Sequence, residues 1–543
     1  MQTDYDFIIV GGGSAGCVLA DRLTEDGRHR VLLLESGGTH RRFFVDMPLG
    51  FGQCFFDRSL NWCYTTQPDQ RLGGRADYWP RGRILGGSGS INAMVYIRGQ
   101  REDYDEWARL GNPGWGFDDV LPYFKKSEDN DAGADALHGT GGPLCVSSIK
   151  GREHPVVRAA LDSAMALGYP DNPDFNGPRQ EGVGLYQFNF RNGRRSSSAT
   201  GSLARAMRRA NLVVETGADV ERVLFEGRRA IGVAYRRKDD AYQARARREV
   251  LLSAGAINSP MLLQHSGIGS GALLQRLGIP LVHDLPAVGE NLQDHAQCGM
   301  AFRMKVPTIN DKLRPYLGRL IAGMQYVFAR RGLLGLSINQ GGAFLRTRSD
   351  ETRPDTQLYF LPMSFQQVRS SSAASLQVDR FSGMAINVSP CRPESRGRLA
   401  IASADPAAPP LIYPNFLATE NDMRVMLDSL KIVLKIAATK PLADLIAARE
   451  RPAGALALDA DLRSHALATC KTTYHAASTC TMGPDPSRAV VDSCLRVHGV
   501  ERLRVVDASI MPLMVSGNIN AAATMIGEKG ADLVLADCGL GLR

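Results

Sequence analysis

What this sequence lacks narrows its identity first. Its ten cysteines include no C-x-x-C pair and no other metal-ligand spacing, so no metal is expected, and the scattered thiols suit a reduced, cytoplasmic setting. No run of 18 or more apolar residues occurs, which removes a transmembrane helix. An apolar run that begins within a few residues of Met1 leaves no room for a signal peptide, so an intracellular protein is expected. Repeats and low-complexity tracts are absent, and with them solenoids and mucin-like or collagen-like stalks. The formal charge is +8 and the pI about 9.0. The arginines are spread rather than gathered in a tract and no nucleic-acid module is visible, so nucleic acid is not an expected partner, whereas an anionic substrate or a membrane surface is allowed. Histidines number only ten, which makes a histidine set among small residues a chemical signal.

Glycine, by contrast, is abundant at 56 residues in a chain of 543, a length that exceeds one ordinary hydrophobic core and implies at least two domains. The first stretch organises the rest. Asp4-Tyr5-Asp6-Phe7-Ile8-Ile9-Val10 is a strand-length apolar run, followed at once by Gly11-Gly12-Gly13-Ser14-Ala15-Gly16, a G-x-G-x-x-G. Helical spacing over residues 15–23 and a second buried run, Val31-Leu32-Leu33-Leu34 closed by Glu35, complete a strand, turn, helix, strand and acid. Gly11 permits the tight turn, Gly13 lets the backbone approach a pyrophosphate, Gly16 brings helix against strand, and Glu35 accepts hydrogen bonds from a ribose. Phosphates are expected on the free N–H groups at the helix start, where the dipole favours negative charge. The motif by itself leaves NAD and FAD both open.

Residues 39–80 are irregular, which inside a compact domain points to a lid or an extended cofactor contact. The stretch Gly86-Gly87-Ser88-Gly89-Ser90 offers main-chain donors at close range, and its apolar flanks imply burial. A second irregular stretch, residues 169–198, reads equally as a cavity wall or an inter-domain crossover. Strands are expected near residues 212–215, 220–225, 230–235 and 249–252, so the sheet begun at the N-terminus resumes two hundred residues later and the dinucleotide domain is discontinuous. Alternation near residues 356–361, 384–388 and 397–401, with amphipathic helices near 313–328 and 422–438, predicts a mostly antiparallel sheet covered by helices. The helix near 313–328 is basic at both ends and could touch a membrane, although a solvated domain face is the favoured reading. The fold class is therefore α/β in its first part and α+β overall.

Towards the C-terminus, Tyr474-His475-Ala476-Ala477-Ser478 sets a histidine beside small residues, Arg502-Leu503-Arg504-Val505-Val506-Asp507 reads as a strand ending in an acid, and Ser516-Gly517-Asn518-Ile519-Asn520 precedes a helix. Asn520 at a helix start reads first as an N-cap, compatible with a second role in which the positive helix end faces an anionic cofactor edge.

Through these stretches the chain resembles the glucose-methanol-choline oxidoreductases over nearly its whole length. Residues 82–92 resemble the family's first signature and residues 255–269 its second, in order with the N-terminal motif and Tyr474-His475. The resemblance implies an FAD enzyme that oxidises alcohols, with a Rossmann-like FAD domain in residues 1–155, 197–300 and 474–543 and a substrate domain in 156–196 and 301–473. It implies His475 as the catalytic base, Asn518 as its partner, Val220 as the backbone that holds adenine, and Asp507 and Ala508 against the ribityl chain and phosphates. Expected further cofactor contacts are Ser14 and Ala15, then Trp62, Arg83, Leu85, Gly87 and Ser88, then Asn92, Ala93, Met94 and Val95, and finally Asn520 and Ala521. Ile91 stands where some members carry a flavin-linked histidine, so FAD is expected to be non-covalent. Gln340, Phe360 and Tyr474 are expected on the substrate side.

The chemistry agrees on its own terms. Hydride leaves an alcohol carbon easily only as the O–H proton is removed, so a base beside the hydroxyl is needed, and histidine titrates in the right range. Bacterial alcohol and sorbose dehydrogenases are the branch most resembled. That branch and choline dehydrogenases carry a glutamate where this chain has Gln340, which weakens the case for a quaternary ammonium substrate and favours a neutral primary alcohol. The expected activity is a dehydrogenase passing electrons to a quinone or other non-oxygen acceptor, cytoplasmic or peripheral to the inner membrane. The alternatives are an oxidase releasing peroxide, a hydroxynitrile lyase-like enzyme with structural FAD, and an NAD-linked dehydrogenase.

Overall fold

The computed structural model describes residues 4–369, 374–454, 456 and 458–539. Its first layer is a seven-stranded sheet whose spatial order is Leu212–Thr216, Val31–Glu35, Asp4–Val10, Asp240–Leu252, Arg229–Arg237 and Ala218–Glu226, with Leu503–Val505 added beside Asp240–Leu252. The runs that read as buried strands pair in parallel: Ile8 opposes Leu32 on one side and Val250 on the other, and Leu251 opposes Arg504. Helices on the sheet's faces leave these strands no solvated side, which is why they are almost continuously apolar. Asp240–Leu252 serves two neighbours. Its first half pairs antiparallel with Arg229–Arg237 and is largely exposed, while its last residues are sealed in the parallel core. Helices Ser14–Thr24 and Asn520–Asp537 pack against each other beside the sheet.

The second layer is a sheet in the order Ile446–Arg451, Ala296–Met304, Gly383–Pro390, Thr356–Leu361, Gly341–Leu345 and Gly182–Leu185, antiparallel throughout, with Lys471–Thr472 on the start of Ala296–Met304. Helices Pro155–Ala166, Glu420–Ala437 and Asp459–Thr469 cover one face. Strand alternation sends Leu358, Phe360, Met384 and Ile386 into that helical core, and turns Tyr359, Leu361 and Asn387 to the opposite face.

Three expectations change. The boundary at 300 falls inside the strand Ala296–Met304, and the boundary between 155 and 156 falls inside helix Pro155–Ala166, because each element is held by the antiparallel layer it belongs to. The helix predicted near residue 313 is two pieces, Ile309–Leu313 and Tyr316–Ala329, parted at Pro315. The second piece turns most of its large apolar residues outward, with only Ala322 and Tyr326 buried. Among the described residues no helix is long and apolar enough to cross a membrane.

Candidate active site

A cavity of about 1260 Å³ runs from the carboxyl ends of the parallel strands, at Val10, Leu34 and Ser253, to the open face of the antiparallel sheet. This is where an open α/β sheet binds ligands. The volume exceeds the roughly 300–1,000 Å³ of a drug-sized pocket, leaving room for a dinucleotide and a small substrate together.

Its first wall is backbone. Gly11 sits at φ +100°, and a Cβ there would lie 2.6 Å from the Ser253 carbonyl oxygen; a Cβ on Gly16 would lie 1.9 Å from the Gly11 oxygen. Gly87 lies back to back with Gly13, its virtual Cβ 2.9 Å from the Gly13 Cα. The glycine-serine stretch is thus a packed turn over Gly87–Ser90, which accounts for its apolar flanks. Gly13, Ser14 and Ala15 line the cavity at the start of a helix with no side-chain cap, so first-turn N–H groups are available to phosphate oxygens. Asn520 lines it at the start of a second uncapped helix, and its Oδ1 accepts from Ser14 Oγ at 2.9 Å. The N-cap reading of Asn520 is therefore corrected: Ile519 is the cap residue, and the asparagine side chain ties the two helix starts together. Glu35 accepts the N–H groups of Gly12 at 2.9 Å and Gly37 at 2.8 Å, and burial pushes its pKa up to about 7. Asp507 accepts from Gly255 N–H at 2.8 Å and Ser509 N–H at 2.8 Å, fixing the start of helix Gly255–His265 at the cavity.

Trp62, Arg83, Ser88, Asn92, Ala93, Met94, Val95, Val220 and Ala508 also line the cavity. Arg83 lies over the Trp62 ring at 4.7 Å and pairs with Asp219 at 2.9 Å. Gly16, Leu85 and Ala521 do not reach the wall: Gly16 acts through the helix contact, and Leu85 and Ala521 are buried in the core behind it. Free phosphate-directed N–H groups, an acid at the end of the second strand and a backbone-lined channel fit a dinucleotide such as FAD.

The other wall is a side-chain network. His475 Nε2 stands 3.1 Å from Asn518 Nδ2, and His475 Nδ1 lies 3.0 Å from His295 Nδ1. His295 Nε2 is 2.9 Å from the Cys391 carbonyl, which can only accept, so that nitrogen carries the proton. Burial pushes the His295 pKa down to about 4, so the ring is neutral and its Nδ1 is bare. The proton between the rings must then belong to His475 Nδ1, leaving His475 Nε2 unprotonated, its lone pair accepting from the Asn518 Nδ2 N–H. Thr473 Oγ1 donates to the His295 carbonyl at 2.9 Å and accepts from the same His475 Nδ1 side at 2.9 Å. Burial first, with the Arg81 guanidinium nearby, holds the His475 pKa well below the ordinary imidazole range. The Asn518 amide is oriented in turn: Gln357 Nε2 donates to Asn518 Oδ1 at 3.2 Å, and Tyr359 O–H donates to Gln357 Oε1 at 2.8 Å. Tyr474 holds φ +69°, uncommon for an aromatic residue, with Arg81 Nη1 on its carbonyl at 2.6 Å and its N–H on Thr472 Oγ1 at 2.6 Å. That turn sets His475, whose own N–H donates to Asp294 at 2.9 Å.

Two expected substrate contacts are corrected. Phe360 points into the helical core because it sits one residue out of phase with Tyr359 and Leu361, which do line the cavity. Gln340 is buried away from the wall, its Oε1 accepting from His154 N–H at 2.7 Å, while Ile338 and Asn339 line it. Tyr474 does line it. Sequence reasoning missed His295, although Asn291-Leu292-Gln293-Asp294-His295 places an acid and a scarce histidine side by side, and it missed Gln357, which carries no local signal.

A dinucleotide cradle facing a neutral histidine base defines a nucleotide-dependent oxidoreductase. A GMC oxidoreductase family model matches residues 5–297 with its N-terminal part and 393–527 with its C-terminal part. The chain is 42% identical to the mitochondrial choline dehydrogenase of Homo sapiens over 98% of this chain and 90% of that one. It is 41% identical to an alcohol dehydrogenase [acceptor] of Pseudomonas putida over 98% and 96%. Among solved structures, pyridoxine 4-oxidase from Mesorbium loti is 31% identical and superposes with a TM-score of 0.86, covering 97% of this chain and 98% of that one. The chain belongs to the GMC oxidoreductase family: it is an FAD-dependent oxidoreductase acting on CH–OH donors.

Proposed function

We propose that the protein oxidises a neutral primary alcohol to the aldehyde and passes the electrons to a non-oxygen acceptor of the quinone class. The observation that carries this reading is the bare His475 Nε2, with Asn518 Nδ2 at 3.1 Å, beside a cavity end walled by Phe51, Phe55, Ile338, Tyr359 and Leu361. The carboxylates of the described cavity wall, Glu35, Asp219, Glu221, Asp405 and Asp507, lie on other stretches, so a cationic head group at the apolar end would lack a counter-charge.

In this reading the substrate hydroxyl displaces the Asn518 N–H from His475 Nε2, which takes the hydroxyl proton, and Asn518 donates to the oxygen as negative charge develops on it. The imidazolium that forms keeps its Nδ1–H on the His295 lone pair, which disperses the new charge inside a buried site. FAD bound along the backbone wall, at the helix start of Gly13, Ser14 and Ala15, would supply the hydride acceptor. Ile91 in that wall offers no nucleophile, which supports a non-covalent hold on the cofactor. The use of a quinone would place the enzyme in the cytoplasm, at the face of the inner membrane.

The test compares choline with 3,3-dimethylbutan-1-ol, its uncharged isostere, alongside aliphatic and aromatic primary alcohols. Under anaerobic conditions the neutral alcohols should bleach the flavin with the higher kcat/KM, and re-oxidation in air should be slow with little peroxide. A preference for choline would overturn the substrate class. Rapid peroxide formation would make the enzyme an oxidase.

A further inference from the structure

The helix Tyr316–Ala329 carries its apolar residues on the wrong side for a domain face. Leu317, Leu320, Met324 and Phe328 follow helical spacing along its outer surface, with Leu317 64% and Phe328 85% exposed. Phe43 and Phe44, from a separate short helix Phe43–Asp46, are also about half exposed and extend the patch, Phe43 meeting Tyr326 ring to ring at 5.9 Å. Isolated exposed apolar residues need no explanation, but a continuous patch built from two elements marks a contact surface.

The charges say which kind. Exposed Arg41 and Arg42 precede the two phenylalanines, exposed Lys312, Arg314 and Arg319 flank or interrupt the helix, and Arg331 follows it. No acidic residue occurs between 312 and 331, nor between 39 and 45. A second copy of the chain docked through this face about a two-fold axis would set cations against cations. A bilayer with anionic head groups meets both features at once, since it takes the apolar ridge into the acyl boundary and the arginines into the phosphate layer.

We infer that this face seats the enzyme on an anionic lipid bilayer. The turn Pro48–Gly50 touches the turn Leu333–Gly335 just beyond the helix, and the residues that follow each turn, Phe51 and Ile338, line the catalytic end of the cavity. Lipid-dissolved alcohols and acceptors would therefore arrive beside the chamber that uses them. The inference deepens the membrane-side placement proposed above and is independent of the alcohol assignment, because turnover with a soluble acceptor reads the latter separately.

Flotation of the FAD-loaded enzyme tests it, using vesicles of phosphatidylcholine alone and of phosphatidylcholine mixed with phosphatidylglycerol. The wild type should float with the mixed vesicles and stay behind with the neutral ones. Two double variants, Leu317→Glu with Phe328→Glu and Arg319→Glu with Arg331→Glu, should each bind about tenfold more weakly or worse, with flavin content and soluble-acceptor turnover unchanged. If the first pair loses flavin, the charge-reversed pair carries the test. The inference falls if the wild type ignores anionic vesicles, if the variants bind as tightly as the wild type, or if lipid-free enzyme is a dimer that Leu317→Glu with Phe328→Glu dissociates.

Discussion

The two walls of the cavity are built on different principles. The nucleotide wall is main chain packed on main chain: Gly11, Gly16 and Gly87 lie so close to neighbouring backbone that a Cβ would not fit, and its donors are helix-start N–H groups. The catalytic wall is side chain bonded to side chain, and it joins residues 180 positions apart at His295 and His475 and 161 apart at Gln357 and Asn518. The first wall should therefore fail by steric exclusion and the second by loss of a proton acceptor or donor.

Substitutions can break that contrast, beginning with the strongest. His475→Ala should slow alcohol-driven flavin bleaching by about 10²–10⁴-fold while the purified protein stays yellow; a loss of colour instead would mean that the two walls are not separable. Gly16→Ala should do the opposite, since its methyl would overlap the Gly11 carbonyl. Flavin content should fall and the fold should lose about 1–3 kcal/mol, read from the absorbance ratio and Tm. Asn518→Ala should reduce kcat about ten- to hundredfold with FAD retained, and equal activity would leave the residue only a packing role.

Smaller effects sharpen the picture. His295→Ala removes the group that fixes the His475 tautomer. Turnover should drop about tenfold, with FAD retained. In the wild type the active form is the neutral imidazole, and its pKa lies below the ordinary 6.5. Lowering the pH from about 8 to about 6.5 should therefore leave kcat/KM nearly flat, with the fall only below that range. A half-maximal point at or above 6.5 would contradict the burial of the base.

Much of the nucleotide wall could be read along the chain. Gly11 to Glu35 form a unit whose turn, helix, second strand and closing acid are each specified by consecutive residues, so backbone freedom, apolar period and the closing acid suffice. Phe360 shows where such reading stops. It has the right strand and the wrong face, because a single residue of phase decides whether a side chain meets the helices or the cavity. Gln340 and Asn520 were misread for a related reason: their amides are claimed by His154 and Ser14, partners that no spacing announces. The outward ridge of helix Tyr316–Ala329 shows the same limit, since an apolar stripe does not state what it will lie against.

The amino-acid order alone settled the glycine turn, the alternation of buried strands, the acid closing the second strand and a histidine among small residues, each a property of a few consecutive residues and their backbone torsions. Only the folded chain decided which histidine nitrogen is bare, which amide faces it and which apolar surface stays outside. Those depend on contacts between distant segments, and such contacts are fixed by sheet register and helix packing, which no short window of sequence contains.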